Sequence, residues 1–374
     1  MGKRKKEEQE EQEQAAERIP REILSRVPYR SLCRFKCVST AWLTLCSDPA
    51  VRRRSGFFGL SYSSSTRFVN LSGRGRPLVD PSLPFLRGFE NIKLLGCCGG
   101  ILLCHADRAG RSEYVVCNPA TEEIWAAVPV PHTLPRAPGC YTFSLCFDPA
   151  MPCRFAIFVS IRLVFNMKIV LVYTSDTREW TAMSSGQDLR IRLFCSDSTY
   201  AFLNGTLHFM AYDSGEATFD SEDNLIRSVI IVGKDGNTWR TIRQPPNADF
   251  SSIGQSQGHL YGIQLDIFNS YQLSVWSLED YASGQWTLKH TANVLELLGR
   301  PRQGHNEHYS LAAIHPERNL IFLNTRVVHG PEKTLMSYNM DNQELHVICT
   351  LGRYDMLKFW PYVPCFAERP SDAQ

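Results

Sequence analysis

Three places in the chain carry residue types that do chemistry when neighbouring elements hold them correctly. Gly254-Gln255-Ser256-Gln257-Gly258 has the Gly-x-Ser-x-Gly spacing of an esterase nucleophile. That turn works between a strand and a helix, where a tight backbone lifts the hydroxyl out of the sheet. Here the residues that follow, "HLYGIQLDI", carry a strand pattern, so a polar turn between two strands is the expected reading. His305 and His308, in "QGHNEHYS", are spaced to share a helical turn. Zinc requires three or four ligands; the spacing supplies no third, and Pro301 and Gly304 argue for a loop. Cys97-Cys98 adjoins Gly99-Gly100 at the entrance to a strand, where thiols serve as small buried apolar groups. "SGRGRPL", from Ser72, lacks the Lys-Ser/Thr pair and the following helix of a phosphate loop. None of these constellations makes an active site. The expectation is a binding protein without metal or cofactor.

The bulk properties set the frame for the elements that carry these residues. The chain has 374 residues, 43% hydrophobic and 21% charged, which is ample material for a core. Net charge is +2, so no overall field argues for nucleic acid or an anionic membrane. The basic start "MGKRKK" leads into a Glu/Gln run and not into an apolar segment, so no secretory signal is expected. Thirteen cysteines without a Cys-x-x-Cys pair then read as reduced thiols of a cytoplasmic or nuclear protein. Lys3 to Lys6 suit either a nuclear-import signal or a solvated tail. Residues 1–17 are expected to be a disordered charged tail, and residues 367–374 a flexible C-terminus.

From Phe57 onward the texture is that of β structure. A strand, a polar turn and a strand carrying Trp recur: "YVVCNPATEEIWAAVP", "IVLVYTSDTREWTAM", "SVIIVGKDGNTWRTI" and "LSVWSLEDYASGQWTLKH". The four tryptophans, Trp125, Trp180, Trp239 and Trp286, lie 55, 59 and 47 residues apart. "LMSYNMDNQELHVICTL" repeats the shape with Leu345 near the Trp position. A second apolar element precedes most of these hairpins, as in "GGILLCH", "LNGTLHFMA", "GHLYGIQL" and "ERNLIFLN". Each unit therefore offers about four short strands, and recurrence at this period predicts a β-propeller. Five units are clear. Strands near residues 57–62 and 67–71, with the C-terminal "KFWPYVPCF", complete a sixth, placing the propeller over residues 57–366. The outer-strand tryptophans are expected to wedge between neighbouring blades.

Residues 18–50 read differently. Pro28 splits them. "IPREILSRV" gives a short first helix with Pro20 near its start and Ile23, Leu24 and Val27 on one side. Ser31 is placed to cap a second helix, along which Leu32, Phe35, Val38, Trp42 and Leu45 follow at spacings of 3, 3, 4 and 3. This apolar ridge is more than so short a segment buries by itself. Its place outside the repeats points to a docking surface.

The stretch "EILSRVPYRSLCRFKCVSTAWLTLCSDP" resembles the F-box. The resemblance rests on Glu22-Ile23-Leu24, Arg26-Val27-Pro28, Ser31-Leu32, Arg34-Phe35, Cys37-Val38-Ser39, Trp42 and Asp48-Pro49. The β region resembles the F-box-associated, kelch-like region of plant F-box proteins in "VVCNPATEEIW", "FDP", "VYTSDTREW", "LNGTLHF", "LSVWSLEDY" and "WTLKH". The resemblance implies a small all-α F-box module followed by an all-β domain, a propeller of about six four-stranded blades. It implies that Ile19, Pro20, Ile23, Leu24, Val27, Pro28, Leu32, Phe35, Val38, Trp42 and Leu45 bind a Skp-family adaptor, and through it a cullin. The chain would then be a non-catalytic substrate-recognition subunit of a ubiquitin ligase. It would hold a target protein on propeller loops such as Pro131–Gly139, Ser184–Arg190, Asp213–Asn224 and Arg300–His308. One departure stands out: the family opens with Leu-Pro and several residues before Glu-Ile-Leu, whereas Ile19-Pro20 here is followed by Arg21 and then Glu22. A shortened first helix gives an alternative expectation, a propeller scaffold with a degenerate F-box and weak or no adaptor binding.

Overall fold

The computed structural model describes residues 21–24, 27, 29–35, 38–47, 55–60, 65–131, 141–149, 151, 154–162, 167–182, 191–193, 200–213, 227–233, 238–246, 248–266, 271–299, 307–327, 332–352 and 358–367. Three short helices come first: α1 (Arg21–Leu24), α2 (Tyr29–Phe35) and α3 (Thr40–Ser47). The apolar ridge predicted a single helix after Ser31. Instead α2 ends at Phe35 and the chain restarts at Ser39, whose hydroxyl accepts from the Trp42 N–H at 3.3 Å. Ser39, not Ser31, is therefore the capping residue, and Ser31 lies inside α2.

Among the described residues after Ser55, the strands form six blades around one axis. Two N-terminal strands, β1 (Gly56–Leu60) and β2 (Thr66–Asn70), wait for a partner from the other end of the chain. The first complete blade comprises β3 (Glu90–Cys98), β4 (Ile101–Arg108), β5 (Arg111–Asn118) and β6 (Glu123–Pro129), paired in that order. The second comprises β7 (Tyr141–Phe147), β8 (Phe155–Arg162), β9 (Met167–Thr174) and β10 (Trp180–Ala182). A three-residue strand, β11 (Ile191–Leu193), pairs with β9 and with the next blade, joining the two sheets. The third blade is β12 (Tyr200–Leu203), β13 (Thr206–Asp213), β14 (Arg227–Gly233) and β15 (Trp239–Arg243). The fourth is β16 (Ser252–Ser256), β17 (His259–Leu265), β18 (Gln272–Asp280) and β19 (Gln285–Asn293), after which α4 (Val294–Leu298) follows. The fifth is β20 (Glu307–Ile314), β21 (Leu320–Val327), β22 (Glu332–Asn339) and β23 (Glu344–Gly352).

The last strand, β24 (Lys358–Tyr362), pairs antiparallel with β1, so the two ends of the β region meet in one sheet ordered β2-β1-β24. This closes the circle: β24, β3, β7, β12, β16 and β20 are neighbours in that order and β20 returns to β24. Six blades result, as the repeats predict. The sixth has three strands among the described residues. Residues 71–89, which contain Pro77, Pro81 and Pro84, form no strand there. They connect the end of β2 to the start of β3, the course a fourth strand takes in the other blades. Prolines bar such a segment from a ladder, so it covers the blade with side chains instead: Val79, Leu83, Leu86 and Phe89 are buried.

Apolar clusters fill the wedges between blades. Phe158 and Val172 of the second blade pack with Phe209 and Ile230 of the third, and Val275 of the fourth with Leu323 and Tyr338 of the fifth. The outer-strand tryptophans work in these wedges. Trp125 is buried with its ring 5.2 Å from Phe147 of the next blade. Trp180 and Trp286 reach the other way, donating Nε1–H to the carbonyls of Pro129 and Arg243 on the preceding outer strands at 3.1 and 3.0 Å. Polar groups add further links across blades. Buried His208 accepts from the Tyr281 hydroxyl, and His315 lies 3.0 Å from the Ser55 hydroxyl. Between β3 and β4, Gly99 and Gly100 both take positive φ, +57° and +87°, the two-residue hairpin geometry that a side chain resists.

Candidate functional site

Two surfaces and one cavity are candidates for function. The helical surface is the first. Leu24 and Leu32 are only 1% exposed and, with Cys46, belong to one apolar cluster with Phe58 and Phe68 of the sixth blade and Leu83 and Leu86 of the covering segment. Val27, Phe35, Trp42 and Leu45 pack against that cluster and are half-buried. The Phe35 and Trp42 rings meet at 5.2 Å. Ile23, at 55% exposure, and Val38, at 48%, face outward. Ile19, Pro20 and Pro28 lie outside the described residues. The structure therefore divides the ridge: part of it joins the helices to the propeller seam, and part remains on the surface. Leu43, 48% exposed, is an outward apolar residue that the ridge pattern missed. The break at Ser39 resets the helical phase. Trp42, Leu45 and Cys46 then share the inward side of α3, and Leu43 falls on another side.

The second surface is fixed by strand direction. Turns joining first and second strands gather at one end of the propeller. There the Gln257 N–H donates to the Pro316 carbonyl at 2.7 Å, Gly99 approaches Phe147 and Pro149, and Gly100 approaches Val363. Ser55, which leads into β1 from the helices, touches His315 at this end, and buried Asn118 ties down the Cys365 carbonyl at 2.9 Å. Antiparallel pairing sends the connections between second and third strands, and from one blade to the next, to the opposite end. Pro131–Gly139, Ser184–Arg190, Asp213–Asn224 and Arg300–His308 are all connections of that kind. Apart from Pro131, Asp213, Glu307 and His308, these loops lie outside the described residues.

The cavity is the central channel, about 320 Å³, lined by inner strands and reached by the Cys97-Cys98 pair. Cys97 Sγ lies 3.5 Å from the Pro361 carbonyl and Cys98 Sγ 3.4 Å from that of Phe147. Burial pushes the Cys98 thiol up to about 12 and Cys97 well above its ordinary value, so both stay protonated. Ser256 ends β16 in a strand–turn–strand hairpin and donates its hydroxyl to the Arg318 carbonyl at 3.1 Å. The polar inter-strand turn expected there is what forms, and the Gly-x-Ser-x-Gly spacing is not an elbow. His308 is exposed on β20, while His305 lies outside the described residues. Among the described residues no group of three or more metal-ligating side chains converges, and no helix is long and apolar enough to cross a membrane.

Comparison with known proteins agrees with this architecture. Residues 21–54 match the F-box domain, and residues 77–231, covering the first two blades and most of the third, match the F-box associated beta propeller domain. One F-box protein of Arabidopsis thaliana is 26% identical over 322 residues, covering 77% of this chain and 73% of its own length. Another is 24% identical over 294 residues, with coverages of 71% and 76%. Among solved structures, an oligogalacturonate lyase in complex with manganese aligns with a TM-score of 0.41 and 9% identity over 80% of this chain and 73% of its own, a likeness too distant to bear on function. Helices followed by a closed six-bladed propeller thus define an F-box module on an F-box-associated propeller. The chain carries both modules and is similar to F-box proteins of that architecture.

Proposed function

We propose that this chain is the substrate-recognition subunit of a Skp–cullin–F-box ubiquitin ligase. The carrying observation is the unequal burial of the helical ridge. The propeller completes its own circle through β24, yet Ile23, Val38 and Leu43 stay outward on helices whose other side is already seated. Outward apolar residues on a module matching the F-box suit a Skp-family adaptor, which in turn joins a cullin. The long connections at the far end of the propeller suit a target protein. In this reading the chain forms and breaks no bond itself. It raises the effective concentration of a target near the ubiquitin-conjugating machinery.

The test is capture of a purified Skp-family adaptor by the full chain. Ile23→Asp and Val38→Asp place charges on the outward face and are expected to weaken capture about thirtyfold or more, since loss of an anchor costs about 2–4 kcal/mol. Leu32→Asp is the wrong probe, because it buries an unpaired charge and unfolds the module. Undiminished capture by both surface variants refutes the docking face. Absence of capture by the wild-type chain favours the scaffold reading, which the short spacing from Ile19-Pro20 to Glu22-Ile23-Leu24 motivates.

A further inference from the structure

One side chain on the channel wall carries a buried acceptor with nothing to bond among the described residues. The channel's volume of about 320 Å³ suffices for a small organic molecule. Asn324 on β21 lines it, and its Oδ1 is buried without a hydrogen-bond partner among the described residues. Asn324 pairs directly with Ser310 of β20, so the two side chains leave the sheet on the same face. Ser310 is exposed and lines the same channel. That face turns toward the sixth blade: Phe322, which shares it with Asn324 on β21, meets the Phe57 ring at 4.3 Å. Phe359 of β24 and Ala312 of β20 pack into the same wedge and also line the channel. Buried polar groups of folded proteins nearly always have a partner, and one without marks a place for a water or a ligand. No hydrogen bond fixes the Oδ1 position, and rotation about the Asn χ2 bond is soft, so turning the oxygen toward the channel breaks no bond made by that oxygen.

We propose that the channel is a binding site for a small neutral molecule carrying a primary amide or lactam beside an apolar ring. The ligand N–H donates to Asn324 Oδ1, and its carbonyl accepts from Asn324 Nδ2. The Ser310 hydroxyl donates to the second lone pair of that carbonyl. The ring lies against Phe359 and Ala312. An amide matches the Asn edge in both directions, whereas a carboxylate has no hydrogen to give Oδ1 and an ammonium has no oxygen to take from Nδ2. The site lies inside the propeller and does not depend on adaptor docking.

Benzamide is the probe, titrated into the full chain by calorimetry. The comparison arms are N,N-dimethylbenzamide, which keeps the ring and carbonyl but has no N–H, and acetamide, which keeps the amide but has no ring. Saturable binding of one benzamide is expected with a dissociation constant of about a millimolar, the range open to so small a ligand. Each comparison compound is expected to bind at least about tenfold more weakly. Asn324→Leu is expected to weaken benzamide about tenfold without lowering the thermal midpoint, because it replaces an unpaired polar group by an apolar one of similar size. Ser310→Ala changes an exposed position on a different strand, so it probes the site without disturbing the core, and is expected to weaken benzamide about fivefold. If water alone satisfies Asn324, benzamide gives no saturable heat and the proposal is overturned. Equal binding of N,N-dimethylbenzamide, or undiminished benzamide binding by Asn324→Leu or Ser310→Ala, overturns it as well.

Discussion

Phe58→Ala tests whether the seam between the two ends of the β region holds the propeller together. Phe58 sits on β1, between β2 on one side and β24 on the other, and is completely buried. Its ring stands edge-on to Phe68 at 4.9 Å and to Tyr362 at 5.3 Å, and those two rings are 5.7 Å apart. Phe68 comes from the N-terminal side of the fold and Tyr362 from the C-terminal side. Truncating a buried Phe typically costs about 3–5 kcal/mol, combining lost transfer free energy with the cavity left behind. Two edge-on aromatic contacts break as well, each contributing about 0.5–1.5 kcal/mol beyond area burial, so the upper part of that range is expected. Against a typical folding free energy of about 5–15 kcal/mol, this is a large fraction of the whole. Urea unfolding of the full chain followed by tryptophan fluorescence measures it. Phe58→Leu is the control and should cost less than Phe58→Ala, because Leu keeps most of the apolar volume. A loss below about 1 kcal/mol for Phe58→Ala refutes the reasoning, because the seam would then lie outside the cooperative unit.

Acid should loosen the junctions between blades. Buried His208 donates from Nδ1 to the Ala201 carbonyl and accepts at Nε2 from Tyr281, and burial lowers its pKa to about 4. His315 accepts the Glu317 N–H at Nδ1 and donates to Ser55; burial, then nearby Arg318, lowers it to about 3. Both folded values lie below the unfolded value near 6.5, so the stabilisation is complete above about pH 6.5 and falls as pH drops towards the folded pKa values. Each residue is expected to cost on the order of 3 kcal/mol by about pH 4, and His315→Gln should flatten the pH dependence of urea stability; an unchanged slope contradicts the assignment. The channel thiols give a third prediction: at about pH 8, iodoacetamide should spare Cys97 and Cys98 in the native chain and label both in urea. Rapid native labelling mapped to either residue would show that the wall opens.

What the sequence reveals and what it hides follow from the range of the forces involved. The blades are legible because each one repeats local chemistry: alternating apolar residues, a polar turn and a Trp on the outer strand. Even the sixth blade can be read, because β1 and "KFWPYVPCF" are strand-like pieces left without partners. Contacts between blades are not legible. His208 and Tyr281 are 73 residues apart, one in "LNGTLHF" and the other in "LSVWSLEDY", and neither segment points to the other. Residues 71–89 announce by their prolines that they are no strand, but not that their Leu and Phe side chains cover a blade edge. The helical ridge is the instructive case. Spacings of 3, 3, 4 and 3 fit one continuous helix, and the same residues also fit two helices interrupted before Ser39. Periodicity records that apolar residues share a side; it does not record what covers that side. Here the propeller seam covers part of the ridge, through Leu24 and Leu32. In the proposed reading an adaptor uses what stays outward, Ile23 and Val38 with the exposed Leu43. In that reading the propeller helps to shape the docking surface, since the residues it takes, Leu24 and Leu32, are no longer available to an adaptor.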